Sequence, residues 1–499
     1  MLAVLDIGEG SLQTVLLGLL FALCVLTVFN RWSQNSPRLP PSPGLALPVV
    51  GHLYLLEANP RQQFLKWGEK LGPMFRLYMG NNLVIVLHGY DVIREALVTH
   101  ADKFSNRPST YISSLLAKNS GFVTPGTSWV KHRKVSTEIL RKLGQSTGAV
   151  EQKVQKELRS LLSSLHAQTD CPLDASGILS QSVSSVFYSV LFGPDFRFED
   201  PETESCMKLV AEQACLLEGM IALDFLPFLR YLPGDLFGLK KTLEVREYVD
   251  SHLIRRQVAS RREQSCTEEP EDFITYFLKN QDMQNGKNPE LNEDSLVAIV
   301  FTLLIAAIDT TSISLSWAIL YLLHHPEVQE RCFQEMKDSI GLDRRPEFKD
   351  CGQLPYLEAT ILEVLRRASI SPFSIHHTVT EDVILRGFLV PKDTIIMPSL
   401  DSALLSANVW GDPYNFRPER FLDDTGKRLV VKEQFIPFCI GPRSCFGEKL
   451  AKMVLMLFLS SVLQEFQIRS PPDTPLPSLK DTFGLNCIPQ PFKVLFVPR

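Results

Sequence analysis

"PFCIGPRSCFGEKLAK", residues Pro437–Lys452, is the stretch on which the reading of this chain turns. It sets two cysteines, Cys439 and Cys445, six residues apart among prolines, glycines and the start of a helix. A structural zinc site uses two to four residues between its cysteines and a second pair of ligands elsewhere. Here five residues intervene and no matching His/Cys pair follows, which sets zinc aside. A disulfide is disfavoured as well. Cys24, Cys171, Cys206, Cys215, Cys266, Cys332, Cys351 and Cys487 are scattered single thiols, a usage that suits a reducing compartment.

A single thiolate ligand to haem is the third reading, and each neighbour has a physical reason to support it. Cys445 lies just before "GEKLAKMVLMLFLSSVLQEF", which patterns as an amphipathic helix. Its sulfur should therefore face helix-terminal N–H groups and the positive dipole end, a setting that lowers thiol pKa. Gly441 and Gly447 permit tight turns and close approach of backbone to a flat ligand. Arg443, two residues before the sulfur, can pair with a haem propionate, and Phe438 can shield the sulfur from water.

The string Phe438-x-x-Gly441-x-Arg443-x-Cys445-x-Gly447 resembles the cysteine-ligand signature of the cytochrome P450 family. Three further motifs agree with that family in order, and the resemblance spans essentially the whole chain. Glu363 and Arg366 in "ATILEVLRR" stand at i, i+3 and so share one helix face. By themselves they read equally well as a surface ion pair of little worth. The resemblance implies that Arg420 of "FRPERF" joins them in a buried triad that locks the ligand loop. "AAIDTTS", Ala306–Ser312, resembles the family's oxygen-binding sequence, with Ala307 where Gly is usual. Asp309 then matches the acid and Thr310 the alcohol of a proton route, with Ala306 against the haem. The plain alternative for Thr310 is a hydroxyl bonded back to its own helix. Trp129, Arg133, Arg107 and His377 resemble further haem-propionate contacts, and His376 stands where relatives often carry Pro.

Around these motifs the chain has the composition of an ordinary globular protein, 45% apolar and 21% charged over 499 residues. Its net charge of −5 gives no support for nucleic-acid binding. "LQTVLLGLLFALCVLTVF", Leu12–Phe29, is uncharged and close to the ~20 residues that span a bilayer. Arg31 and Arg38 follow it, which predicts an anchor in residues 1–30 with the rest of the chain in the cytosol. No basic region precedes the run and no small-residue cleavage site follows, against a cleaved signal.

Residues 31–52 are proline-rich and predict a stiff extended spacer. Residues 53–499 read as a single mainly α domain with a minor β region. "MFRLYMGNNLVIVL" predicts a hairpin, and Asp294–His325 predicts one helix of ~32 residues crossing the core. The polar stretches 255–272 and 280–294 predict exposed loops.

The resemblance implies haem b and a monooxygenase of the endoplasmic reticulum membrane (a single-pass microsomal enzyme). It also implies electrons from NADPH through NADPH–cytochrome P450 reductase, with cytochrome b5 as a further partner. Lys131, Arg133, Lys134, Lys449 and Lys452 form the expected face for that acidic reductase. The branch most alike holds steroid 17α-hydroxylase and the aryl-hydrocarbon hydroxylases. Ala306, Phe373, Ile375 and Leu485 are then the expected lining of a pocket for a small steroid-like or planar aromatic lipophile. Two other classes stay open: a reductase-independent haem-thiolate isomerase or dehydratase, and a non-catalytic haem or lipophile-binding protein.

Overall fold

The computed structural model describes Thr14, Gly18 and residues 38–499 apart from 113, 115–120, 123, 146–147, 170, 194–195, 197–200, 264–269 and 284–289. Of the expected anchor only Thr14 and Gly18 are described, both helical and exposed, and the rest lies outside the described residues. The described chain is mainly helical. Its longer helices are α1 (Arg61–Leu71), α2 (Ser128–Gln145), α3 (Ala149–His166), α4 (Ala175–Phe192) and α5 (Pro201–Phe225). They continue with α6 (Leu239–Tyr248), α7 (Phe273–Met283), α8 (Glu293–His324), α9 (Pro326–Ser339), α10 (Pro355–Ala368) and α11 (Glu448–Glu465).

Helix α8 is the axis of the core. Asn292 and Ser295 close a capping box at its start, and the helix gives way to α9 at Pro326. Being apolar all round, it packs against α4, α10 and α11, burying Trp317 and Tyr321. Helices α4 and α8 are each long and apolar enough to cross a membrane by composition, yet half of α4 and most of α8 are buried inside the fold.

One sheet has the order β1–β2–β7–β4, from Met74–Met79, Asn82–His88, Ile395–Ser399 and His377–Thr378. Strands β1 and β2 form the expected hairpin, closing at Met79↔Asn82 around Gly80 and Asn81. Another sheet joins β3 (Leu173–Asp174), β11 (Lys493–Pro498) and β8 (Phe466–Arg469). Strands β5 (Val383–Leu385) and β6 (Phe388–Val390) pair with each other. The hairpin β9 (Asp481–Phe483)–β10 (Cys487–Pro489) lies against the core, where Trp317 Nε1 donates to the Cys487 carbonyl at 2.9 Å.

Two expectations change. The polar stretches are partly helical: Arg256–Glu263 continues the turn after α6, with Val258 buried and Arg261 paired to Asp272, and α7 covers Asn280–Met283. Tertiary contacts on one face outweigh the polar composition there. The described part of the proline-rich stretch is laid on the sheet rather than hanging free. Arg76 reaches the carbonyls of Pro40 and Pro41, and His52 N donates to the Tyr78 carbonyl.

Candidate active site

The ligand loop is a series of tight turns feeding α11. Cys445 N donates to the Phe438 carbonyl at 2.9 Å, Ser444 N to Gly441 at 3.1 Å and Cys439 N to Ile436 at 3.0 Å. Gly441 has φ +83°, and a Cβ there would sit 2.1 Å from the Leu97 carbonyl oxygen, so only glycine fits. Cys439 packs half-buried against Leu97 and its neighbours, a filler and not a partner of Cys445. The Cys445 sulfur accepts from the N–H groups of Gly447 and Glu448, as the helix start predicts. The expected fall in its pKa does not follow. Burial raises the thiol, and the two N–H groups and Arg133 only offset part of that rise. The sulfur is thus crowded by packed protein although the residue as a whole keeps solvent-exposed surface.

Arg107, Arg133 and Arg443 converge near this loop and act on one another electrostatically. Burial, then Arg107 and Arg133, press Arg443 down to about 9, while burial, with Arg133 adding, presses Arg107 down to about 10. Among the described residues no carboxylate pairs with any of the three. Arg443 is stacked 3.7 Å from the Trp129 ring and donates to the carbonyls of Ser105, Phe122 and Thr124. That leaves two of its five N–H groups for a ligand carboxylate. Arg107 Nη1 is held by the carbonyls of Ile375 and His376, but its buried Nε has no partner. His377 Nδ1 hydrogen-bonds the Phe104 carbonyl at 2.8 Å, and its buried Nε2 has none. Burial and the arginines hold His377 neutral, and burial pushes His376 down to about 4.

The Glu363–Arg366–Arg420 network is present and buried. Glu363 accepts from Arg366 Nε at 2.7 Å, Arg366 Nη2 at 2.8 Å, Arg420 Nε at 3.3 Å and Arg417 N at 3.0 Å. The guanidiniums also reach Leu404, Pro413, Trp410, Asp412 and Asn415 carbonyls, and Arg420 pairs with the Asp412 carboxylate. Helix α10 is thereby fastened to the segment that leads into the ligand loop.

On α8 the Thr310 hydroxyl donates to the Ala306 carbonyl at 2.7 Å, the back-bonded geometry of a helical threonine. Its oxygen keeps acceptor capacity. Asp309 is clasped by a residue that no motif pointed to: Asn486 Nδ2 donates to Asp309 Oδ2 at 2.7 Å. Burial pushes Asp309 above the usual carboxylate range, and the Asn486 amide partly restrains it. A polar residue in the otherwise apolar "GLNCIP" is the only sequence signal that could have marked Asn486. Of the expected pocket residues, Ala306, Ile375 and Leu485 present exposed surface. Phe373 instead packs between Phe64 and Phe483 at ring distances of 4.9 and 5.9 Å.

The family model described as cytochrome P450 matches residues 40–496. This chain belongs to the cytochrome P450 family. It is 36% identical over 438 residues to cytochrome P450 2U1 of Bos taurus, covering 87% of this chain and 80% of that protein. It is 34% identical over 506 residues to vitamin D(3) 25-hydroxylase of Sus scrofa, covering 98% of this chain and 99% of that protein. Cytochrome P450 2C16 of Oryctolagus cuniculus is 34% identical over 490 residues, at 96% and 99% coverage. The chain is thus a cytochrome P450 monooxygenase of lipophilic substrates, and the family implies a haem iron. The residues fit that group: a thiol opens α11, and three arginines lacking acids suit two propionates, as do two orphaned buried nitrogens.

Proposed function

We propose that this P450 is anchored in the endoplasmic reticulum membrane and takes electrons from NADPH–cytochrome P450 reductase to hydroxylate a small steroid-like or planar aromatic lipophile. The observation that carries the proposal is the Cys445 thiol beside a cation cluster that no carboxylate pairs among the described residues. Haem iron under thiolate ligation supplies dioxygen activation and insertion of one oxygen atom. Cys445 holds the iron. Arg107, Arg133, Arg443, Trp129 and His377 hold the propionates, with Phe438, Gly441 and Gly447 shaping the loop. Glu363, Arg366 and Arg420 keep that loop in register. Asp309 relays protons from solvent through water, and the Thr310 hydroxyl oxygen accepts a hydrogen bond that orients the donor. Ala306, Ile375 and Leu485, with Phe373 behind, exclude water and favour apolar substrates. The name of one relative, a hydroxylase of vitamin D(3), supports a lipophilic substrate.

Lys134 and Lys449 are exposed, Lys131 pairs with Glu290, and Lys452 pairs with Glu448. These residues, with Arg133, suit an acidic reductase, and cytochrome b5 suits the same face.

The test is turnover of NADPH by purified protein and reductase against a panel of steroids and polycyclic aromatics. Substrate-dependent product is expected. Turnover of peroxides without reductase would favour the isomerase, and no turnover with haem bound would favour a binding protein. The reduced carbonyl complex should show the red-shifted Soret band of thiolate ligation. Cys445→Ala should abolish that band and Cys439→Ala should keep it; the reverse pattern would overturn the ligand assignment.

A further inference from the structure

We propose that Asn486 is a positioning residue for Asp309, fixing which carboxylate oxygen carries the proton. The inference rests on the monooxygenase reading and deepens it. Asp309 and Thr310 are adjacent on α8, so their side chains diverge by about 100° and do not face each other. A carboxylate in this position could turn freely unless something held it. Asn486 Nδ2 holds Oδ2 at 2.7 Å. An amide nitrogen donates and cannot accept, so Oδ2 stays an acceptor and a proton on Asp309 must sit on Oδ1. Among the described residues no hydrogen bond to Oδ1 exists. Oδ1 is therefore the oxygen that takes a proton from water and passes it on, with the carboxylate regenerated at each cycle.

The amide can impose this because its own position is over-determined. Asn486 is itself buried, in the turn between β9 and β10. Next to it, Cys487 accepts from Trp317 Nε1 through its carbonyl and donates its N–H to the Ile370 carbonyl at 2.7 Å. Trp317 stands eight residues, just over two helical turns, after Asp309, and the two side chains reach the same hairpin, through the Cys487 carbonyl and the Asn486 amide. Arg61 ties the far strand through Asp481 at 2.8 Å.

The experiment compares wild type, Asn486→Leu, Asn486→Gln, Asp309→Asn and the double variant Asn486→Leu/Asp309→Asn. Two readouts are taken: the C–O stretch of the reduced carbonyl complex, which needs only bound haem, and the division of NADPH electrons between product and hydrogen peroxide. Asn486→Leu should shift the C–O band and lower the product fraction about 3- to 10-fold, the worth of one hydrogen bond. Asn486→Gln, which keeps a donor, should restore at least half of the product fraction. In the Asp309→Asn background Asn486→Leu should add nothing.

No change in either readout, or an equal effect in both backgrounds, overturns the proposal. Trp317→Phe loosens the hairpin without touching the amide, and an effect equal to that of Asn486→Leu also overturns it. Should Asn486→Leu fail to bind haem, Asn486→Ala is read in the same way. If wild type forms no product from any lipophile, the monooxygenase reading fails, while the carbonyl band still decides the role of Asn486.

Discussion

Glu363→Gln keeps the size of the side chain and removes its charge, which isolates what the carboxylate does. In the native chain its two oxygens accept four N–H groups, two from Arg366, one from Arg420 and one from the backbone of Arg417. An amide offers one acceptor oxygen and turns an NH2 group toward guanidinium donors. Arg366 is fully buried and loses its counter-charge where water cannot replace it, while the nearly buried Arg420 keeps only the half-exposed Asp412. Breaking a buried pair in this way costs about 3–5 kcal/mol.

For a chain of this length the entropy of unfolding is about 1 kcal/mol/K, so Tm should fall by about 3–5 °C. The arginines also hold the carbonyls of Leu404, Pro413 and Trp410, so the damage should reach the ligand loop. Haem release at 37 °C, followed by the Soret band, should therefore quicken beside the drop in Tm. The exposed Lys208–Glu204 pair, at 2.6 Å, is the control: Lys208→Ala should move Tm by less than about 1 °C. If Glu363→Gln unfolds within about 1 °C of wild type and keeps its haem, the triad does not lock the loop and the reasoning fails.

Gly441→Ala should lose haem without loss of secondary structure, because its Cβ would collide with the Leu97 carbonyl and its φ is positive; circular dichroism and the Soret band check both halves, and full haem occupancy would refute it. Glu358 is raised to about 7, chiefly by burial and then by Glu335. A carboxyl raised in the folded state penalises folding once it ionises, so stability should fall between about pH 4.5 and 7 and level off above. Glu358→Gln should then raise Tm at pH 8 and leave it unchanged at pH 5; an equal effect at both pH values would exclude this cause.

Much of the site could be read in the chain because its signals are local. The limits of α8 are set by an Asn292 cap and Pro326, and its burial by apolar residues on every side. Glu363 and Arg366 share a helix face by spacing alone. Thr310 admits two readings from its sequence context, and its hydroxyl donates a hydrogen bond to the helix carbonyl four residues back. The electrostatics of Cys445 are only half legible: dipole and N–H bonds can be read in a motif, whereas desolvation depends on everything packed around the sulfur. The helical course of Arg256–Glu263 is hidden in the sequence for a related reason: Val258 is buried there, and Arg261 is held by the Phe192 carbonyl, 69 residues away.

By itself the sequence determined the thiol, the turn chemistry around it, the long core helix and the acid–alcohol pair. Each of these follows from residue types within a few positions of one another, where hydrogen bonding and periodicity act at short range. Only the tertiary structure decided that Asn486 reaches Asp309 across 177 residues, that Arg107 meets Arg443, and that burial outweighs the helix dipole at Cys445. Those outcomes depend on which distant segments packing brings together and how far it excludes water, and no local pattern encodes either.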